Sequence, residues 1–198
     1  MNGRIGIFDS GLGGLFMMKA IVEASPRYDY VYLGDTQRLP YGNHSSETVY
    51  MFLREAVTYL FKQQQCALIV VACNTASAEA LRRIQHEYLP FAYPDRRVLG
   101  VIIPAAEAVL ERGITRVGVL ATEGTVRSGA FTRELKKLNH FMEVFQEAAP
   151  LLVPLIENWD TAYRNLIVQE YVSAVEKHGI DGLLLGCTHY PILKAEIR

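Results

Sequence analysis

Two cysteines of this sequence lie in the same local pattern. Cys73 follows an apolar run of strand type, residues 68–72, and an alanine-rich helical pattern begins directly after it. Cys187 follows a second apolar run, residues 183–186, and Pro191 marks the start of a helix shortly afterwards. Runs of this kind are typical of interior strands in a parallel sheet. Both thiols are therefore predicted where a strand ends and a helix begins.

This position matters for the chemistry of a thiol. Ligands of open α/β sheets bind beyond the carboxyl ends of the strands. The free N–H groups of a helix N-terminus favour anions there and lower the pKa of a cysteine. A single cysteine is by default a small buried hydrophobic residue, as we expect for Cys66. Two cysteines at equivalent ends of two strand–helix units favour a joint catalytic role for Cys73 and Cys187.

Two thiols can invert a carbon centre without a cofactor if they act from opposite faces. One thiolate removes a proton, the opposite thiol returns one, and the roles exchange in the reverse direction. A thiol suits this work because its ordinary pKa, about 8.5, can be tuned towards neutrality. Asp9, at the end of the first predicted strand, and His189, beside Cys187, could adjust the protonation of the thiols. No lysine lies at a strand end suited to a Schiff base, so no cofactor is predicted.

Three other kinds of site fit part of this pattern. The two cysteines, His189 and Asp9 could bind zinc, but the close pair is Cys-x-His rather than the usual paired-cysteine spacing. A redox site would favour a C-x-x-C motif, which the sequence lacks. A Cys–His hydrolase would use one cysteine and leave the other without a role. The two-thiol isomerase ranks first, and no metal is predicted.

The elements that must position these residues alternate between strand and helix, which predicts parallel α/β layers. Residues 89–97 contain two prolines and a charge cluster, and we expect the domain boundary there. The predicted fold class is therefore α/β, with two parallel-sheet domains at 1–94 and 95–198. The economical arrangement puts the active site in the cleft between the domains, with the two thiols facing each other.

Polar residues also follow other strands. After Asp9 comes a glycine-rich loop, residues 11–14, which lacks the spacing of a dinucleotide site and indicates N–H groups close to a carboxylate instead. Thr122 and Thr125 follow another strand and could cap a helix or contact a ligand. Residues 149–157 are apolar but contain two prolines, which predicts at most an edge strand and a loop. A helix over 160–178 is predicted to follow.

The composition is typical of a globular protein. Of 198 residues, 50% are hydrophobic and 21% are charged, and the formal net charge is −1. Nucleic acid is not an expected partner because there is no basic surplus. No apolar run approaches the length of a membrane span, and no signal peptide is predicted. Three cysteines do not make a disulfide framework, so we expect a reducing, cytoplasmic location.

Four motifs together resemble the glutamate racemases of the aspartate/glutamate racemase superfamily. They are FDSGLGGL at 8–15, GDT followed by LPYG within 34–42, ACNTA at 72–76 and GCTHYP at 186–191. The Cys-Thr-His form of the last motif resembles the glutamate enzymes more than the aspartate racemases. The resemblance implies a cofactor-independent enzyme that converts L-glutamate to D-glutamate and supplies D-glutamate for bacterial peptidoglycan.

The resemblance also implies roles for particular residues. It makes Cys73 and Cys187 the two proton donors and acceptors, pairs Asp9 with Cys73 and His189 with Cys187, and places Glu157 behind that histidine. The implied substrate contacts are Asp9, Ser10, Tyr41, Gly42, Asn74, Thr75, Thr122, Thr188 and His189, with Thr125 nearby. The implied partner is the small-molecule substrate, without nucleic acid or membrane, and a homodimer is the candidate assembly.

The end of the sequence departs from the family pattern. Family members continue past the Cys-Thr-His motif with a segment that returns to the first domain, whereas this sequence ends at Arg198. We expect the missing segment to affect stability and activity. The alternative function is therefore a racemase-like protein that binds glutamate or a partner without turnover, although the chemistry retained at both cysteines argues against it. Aspartate, one methylene shorter, is the competing substrate.

Overall fold

The structure, a computed structural model, describes residues 3–158 and 163–197. The chain divides into two compact units, Met1–Val101 and Ile102–Arg198. Each unit is built on one sheet, and every strand pair in both sheets is parallel. The predicted α/β class with two parallel-sheet domains is confirmed.

The first unit has a four-stranded sheet in the order β2-β1-β3-β4. Its strands are β1 Arg4–Asp9, β2 Tyr30–Gly34, β3 Cys66–Val71 and β4 Arg97–Gly100. Its helices are α1 Gly14–Ala24, α2 Ser46–Lys62, α3 Asn74–Glu79, α4 Leu81–Arg83 and α5 Leu89–Ala92, with a π-helical turn at Ile84–Tyr88. β1 and β3 are interior strands, and Phe8 and Ile69 are fully buried. Burial on both faces explains why these strands are continuously apolar.

The longest helix of this unit covers one face of the sheet. Ser45 caps α2 by accepting a hydrogen bond from the Thr48 amide at 3.2 Å. Val49, Leu53 and Val57 recur at helical spacing and are fully buried in the same core cluster as Phe8. The structure therefore contains the predicted 46–64 helix, which ends two residues early at Lys62.

The division between the units falls later than the sequence predicts. The expected boundary segment is helical at α5, which continues directly from the π-helical turn and has Pro90 as its second residue. β4 pairs with β3 from Leu68↔Arg97 to Val71↔Gly100, so it belongs to the first sheet and not to a domain that starts at residue 95. The sheet that a short strand joins depends on the strand with which it pairs. The sequence of β4 alone does not indicate that β3 is its partner, so the boundary could not be predicted correctly.

The second unit has a three-stranded sheet in the order β6-β5-β7. Its strands are β5 Arg116–Ala121, β6 Glu143–Ala148 and β7 Gly182–Gly186. Its helices are α6 Ile102–Glu111, α7 Glu123–Ser128, α8 Ala130–Leu138, α9 Leu152–Glu157, α10 Arg164–Glu176 and α11 Lys194–Ile197, with a 3₁₀ turn at Tyr190–Leu193. Over residues 3–158 and 163–197, the structure has no helix long and apolar enough to span a membrane.

Residues 149–157 differ from their prediction. The prediction of an edge strand and a loop there is wrong, because the edge strand β6 ends at Ala148, before this segment, and α9 covers Leu152–Glu157. Pro154 is the third residue of α9, a position where an N–H has no partner within the helix, so the proline is tolerated. The helix predicted over 160–178 is α10, and its predicted start lies outside the described residues.

Candidate active site

Cys73 lies at the junction of β3 and α3. The Ala72 amide still donates to the Phe8 carbonyl at 2.7 Å, so the chain remains beside β1 up to this residue. Cys73 is the N-cap of α3, and its sulfur accepts a hydrogen bond from the Ala76 amide at 3.5 Å. Asn74 and Thr75 form the first turn of the helix and are buried with it. This is the strand-to-helix junction that the sequence predicts.

Asp9 ends the neighbouring strand, and its side chain is fully buried. One carboxylate oxygen, Oδ2, accepts hydrogen bonds from the amides of Gly11 at 3.1 Å and Gly14 at 3.0 Å. The sequence predicts that this glycine loop presents N–H groups to a carboxylate, and two of those groups are directed at Asp9 itself. The Cys73 thiol donates to the Ser10 hydroxyl at 3.4 Å, which brings Ser10 into the same cluster.

The electrostatics at Cys73 differ from the prediction. Burial and, to a smaller extent, the negative charge of Asp9 raise the pKa of the Cys73 thiol to about 11, although hydrogen bonds from Ser10 and Ala76 act in the opposite direction. The sequence predicts a lowered pKa from the helix N-terminus. That effect is the weaker one here, because α3 has six residues and the sulfur is almost completely removed from water.

Tyr41 and Gly42 lie in a 3₁₀ turn after β2, and both are buried. The Tyr41 hydroxyl donates to Oδ2 of Asp35 at 2.6 Å, and its ring contacts Phe52 with ring centres 5.5 Å apart. Burial and the bond to Asp35 raise the pKa of Tyr41 above its ordinary value. The Tyr41 side chain is thus part of the core, so a ligand contact from this turn would come from its backbone.

Two further residues of the first unit support this cluster and are not predicted from the sequence as site residues. Asp35 accepts from the Arg38 guanidinium at 2.5 Å as well as from Tyr41, which holds the 3₁₀ turns after β2 together. Tyr32 donates its hydroxyl to the Gly11 carbonyl at 2.7 Å. Asp35 lies within the GDT motif, which could have indicated it, but nothing in the sequence separates Tyr32 from an ordinary strand residue.

The second unit builds a different cluster around Cys187. Cys187, Thr188 and His189 follow β7 directly, and all three are buried. The Cys187 sulfur lies 3.8 Å from Nδ1 of His189, and the Thr188 hydroxyl lies 3.4 Å from the same nitrogen.

Glu157, the last residue of α9, completes this cluster. Its Oε1 lies 2.5 Å from Nε2 of His189, on the far side of the ring from the sulfur. The carboxylate can only accept a hydrogen bond, so Nε2 of His189 carries the proton. In the neutral imidazole, Nδ1 is then unprotonated and faces the thiol.

Thr122 occupies the equivalent junction between β5 and α7. Its hydroxyl accepts from the Thr125 amide at 3.3 Å and donates to the Thr125 hydroxyl at 3.0 Å, so it caps the helix. Both threonines are buried. The prediction left capping and ligand contact open, and the structure shows the capping role.

Each unit therefore holds a buried thiol beside an ionisable partner at the carboxyl end of its sheet. In the first unit the partner is Asp9, and in the second it is the His189–Glu157 pair. Such a cluster can accept a proton at sulfur or return one. Within residues 3–158 and 163–197, no group of three or more His, Cys, Asp or Glu side chains is arranged to hold a metal ion.

Comparison with known proteins assigns the chain to a family. The sequence profile of the Asp/Glu/hydantoin racemase family matches residues 5–198. The chain belongs to this family. Glutamate racemase from Geobacter metallireducens is 46% identical over an alignment of 198 positions, which covers 98% of this chain and 70% of the relative. Glutamate racemase from Aquifex aeolicus is 45% identical over 98% of this chain and 74% of its own.

Solved structures agree with this assignment. A glutamate racemase isoform from Bacillus anthracis superposes with a TM-score of 0.90 at 38% identity, covering 98% of this chain and 72% of that one. The glutamate racemase from Francisella tularensis, solved in complex with D-glutamate, gives a TM-score of 0.87 at 35% identity over 99% of this chain and 72% of that one. The resemblance drawn from the four motifs is confirmed, and the chain is an enzyme of the racemase class. The alternative of binding without turnover is not favoured.

Proposed function

We propose that this protein interconverts L- and D-glutamate without a cofactor, with Cys73 and Cys187 acting on opposite faces of the α-carbon. The observation that supports this most is the repetition of a buried thiol after β3 and after β7, each with its own ionisable neighbour. One thiolate takes the α-proton, the electron pair left on carbon is delocalised into the carboxylate, and the opposite thiol donates its proton. The proposal requires both thiols to reach one substrate molecule.

The first half of the reaction would use Cys73 with Asp9. A thiol whose pKa is raised to about 11 is protonated at neutral pH, so it needs help to act as a base. The ammonium group of an amino acid supplies a positive charge that would lower this pKa and pair with the Asp9 carboxylate. Substrate binding would thus generate the thiolate. The neighbouring groups Ser10, Asn74 and Thr75, with the backbone of Tyr41 and Gly42, would bind the polar ends of the substrate.

The second half would use Cys187 with His189 and Glu157. The unprotonated Nδ1 of His189 can take the proton of the thiol, and the imidazolium that results is stabilised by Glu157 at 2.5 Å. His189 therefore adjusts the protonation of Cys187, and Glu157 orients His189. Thr122 and Thr188 would contribute hydroxyl groups to the substrate.

Glutamate is the proposed substrate because relatives at 38–46% identity are glutamate racemases. An aspartate racemase from Picrophilus torridus shares the fold at a TM-score of 0.72 but only 19% identity. We further propose a cytoplasmic enzyme that supplies D-glutamate for peptidoglycan. Light scattering of the purified protein tests the candidate homodimer.

The test is the loss of optical activity from pure L-glutamate and pure D-glutamate, followed by far-ultraviolet circular dichroism without added cofactor. Both enantiomers should reach the racemic mixture. Aspartate should react with a kcat/KM lower by roughly 10³-fold or more, because a site that hydrogen-bonds two carboxylates leaves buried groups unpaired around a shorter acid. Comparable turnover of aspartate would show that the substrate assignment is too narrow, and no turnover of glutamate would refute it.

A further inference from the structure

Tyr32 links the edge strand β2 to the glycine loop that holds Asp9. Its hydroxyl donates to the Gly11 carbonyl at 2.7 Å, and the amide of the same glycine donates to Asp9 Oδ2 at 3.1 Å. Gly11 is therefore held through both of its backbone polar groups, one by the tyrosine and one by the carboxylate. A change at Tyr32 would be transmitted to Asp9 through this single residue.

The packing around this loop is close. A Cβ at Gly14 would lie 2.6 Å from Asp9 Cβ and 2.9 Å from the Tyr32 hydroxyl. A Cβ at Gly34 would lie 2.5 Å from the Gly11 carbonyl oxygen and 3.1 Å from the Tyr32 ring. Both glycines allow backbone, tyrosine and carboxylate to approach closely, so the loop and the tyrosine form one tightly packed block.

The Tyr32 hydroxyl is also a permanent donor. Burial, and then the negative charges of Asp9 and Cys73, raise the pKa of Tyr32 above its ordinary value. The phenol therefore keeps its proton at any pH at which the enzyme works.

We propose that Tyr32 is a positioning residue for the Cys73 half of the reaction, because by holding Gly11 it fixes the Asp9 carboxylate whose charge acts on Cys73. This inference rests on the proposed function. Its hydrogen bond to Gly11 and its packing against the Gly14 and Gly34 positions lie in the first unit, while Cys187 has the His189–Glu157 pair. Loss of the hydroxyl should therefore slow proton removal from the enantiomer that Cys73 deprotonates, and not from the other.

Racemisation itself uses both thiols, so the two halves must be separated by another reaction. With a 3-chloroglutamate, one thiolate removes the α-proton, the electron pair forms a carbon–carbon double bond and chloride leaves. Water then hydrolyses the enamine to the 2-oxo acid and ammonia. Each α-carbon enantiomer is deprotonated by only one of the two thiolates. Cys73→Ser and Cys187→Ser show which enantiomer belongs to which thiol.

The variant is Tyr32→Phe, and Tyr30→Phe is its matched control. Tyr30 lies on the same strand and the same face, and its hydroxyl also donates to a backbone carbonyl, that of Ser25 at 2.8 Å, outside the site. In Tyr32→Phe, elimination from the Cys73 enantiomer should fall about tenfold, the effect of one lost hydrogen bond, while the other enantiomer changes less than about twofold. Tyr30→Phe should change neither by more than about twofold.

A second variant covers the case in which phenylalanine destabilises the sheet. Tyr32→p-aminophenylalanine keeps an N–H donor at the same reach and should leave the ratio of the two elimination rates within about twofold of the native ratio. An equal loss for both enantiomers in Tyr32→Phe, no loss in either, or a biased ratio in the amino variant would each overturn the positioning role. The proposed function fails separately, when the native protein does not racemise glutamate or when the two serine variants show no enantiomer preference.

Discussion

At Cys73 the protein buries a group that the proposed reaction needs in its charged form. Burial and the Asp9 charge both favour the neutral thiol, and the bonds from Ser10 and Ala76 only partly oppose them. The protonation state in the working enzyme therefore depends on what the substrate brings into the site. The sequence shows that a helix begins at Cys73, but burial is produced by distant parts of the chain, so the sign of the pKa shift could not be predicted.

This shift makes the stability of the protein depend on pH in alkali. The folded thiol has a pKa of about 11 against an ordinary value near 9, so between these values the unfolded chain releases a proton that the folded chain keeps. The contribution is constant below about pH 9, and stability falls as the pH rises towards about 11. The native protein should lose on the order of 3 kcal/mol more than Cys73→Ser over this interval.

Urea unfolding at several pH values across that interval measures this difference. Serine keeps the size and hydrogen bonds of the side chain but does not titrate in this range, so the two proteins should show the same dependence below about pH 8. Parallel curves at every pH would contradict the raised pKa of Cys73.

At the scale of elements, helix caps and site residues coincide. Cys73 caps α3 and Thr122 caps α7, each through a side chain that accepts a hydrogen bond from the amide three residues later. The first turns after β3 and β5 therefore present polar side chains at the carboxyl ends of the sheets. A parallel α/β fold produces this coincidence, since strand ends and helix starts meet at one edge.

Thr122→Val separates the capping role from the proposed substrate contact, and Ser45→Ala is its control. Ser45 caps α2 in the same way, by accepting from Thr48 at 3.2 Å. Each substitution should lower the free energy of unfolding by about 1 kcal/mol. Only Thr122→Val should also raise KM for glutamate, by roughly tenfold for one lost hydrogen bond. An unchanged KM in Thr122→Val would show that this threonine only caps the helix.

The elements themselves could be predicted where their pattern is local. The alternation of strand and helix and the apolar face of α2 follow from patterns of neighbouring residues, and the structure contains both. The predictions differ from the structure where a proline has two readings. Pro90 and Pro154 both suggest loops, yet both lie within helical segments. Pro154 lies in the first turn of α9, where the missing N–H is harmless.

At the scale of the whole molecule, each of the two units has a buried cysteine with a different ionisable neighbour. The motifs predict Cys73, Asp9, Cys187 and His189 as site residues, because few residue types can carry out the proposed proton transfers. The residues that position these side chains are harder to predict from the sequence. Tyr32 acts through a hydrogen bond to a residue 21 positions away, and Glu157 reaches His189 from 32 positions away. The family resemblance implies Glu157, while Tyr32 is found only by inspecting contacts.

The central claim is that one thiol from each unit serves one face of the same carbon. Cys73→Ser and Cys187→Ser, each assayed for racemisation and for elimination from both 3-chloroglutamate enantiomers, test it most directly. Both variants should lose racemisation, since a hydroxyl is far too weak an acid or base at neutral pH, and they should eliminate chloride from opposite enantiomers. A chelator should leave the native enzyme active. Full racemisation by either variant, or loss of native activity on chelation, would contradict the two-thiol mechanism.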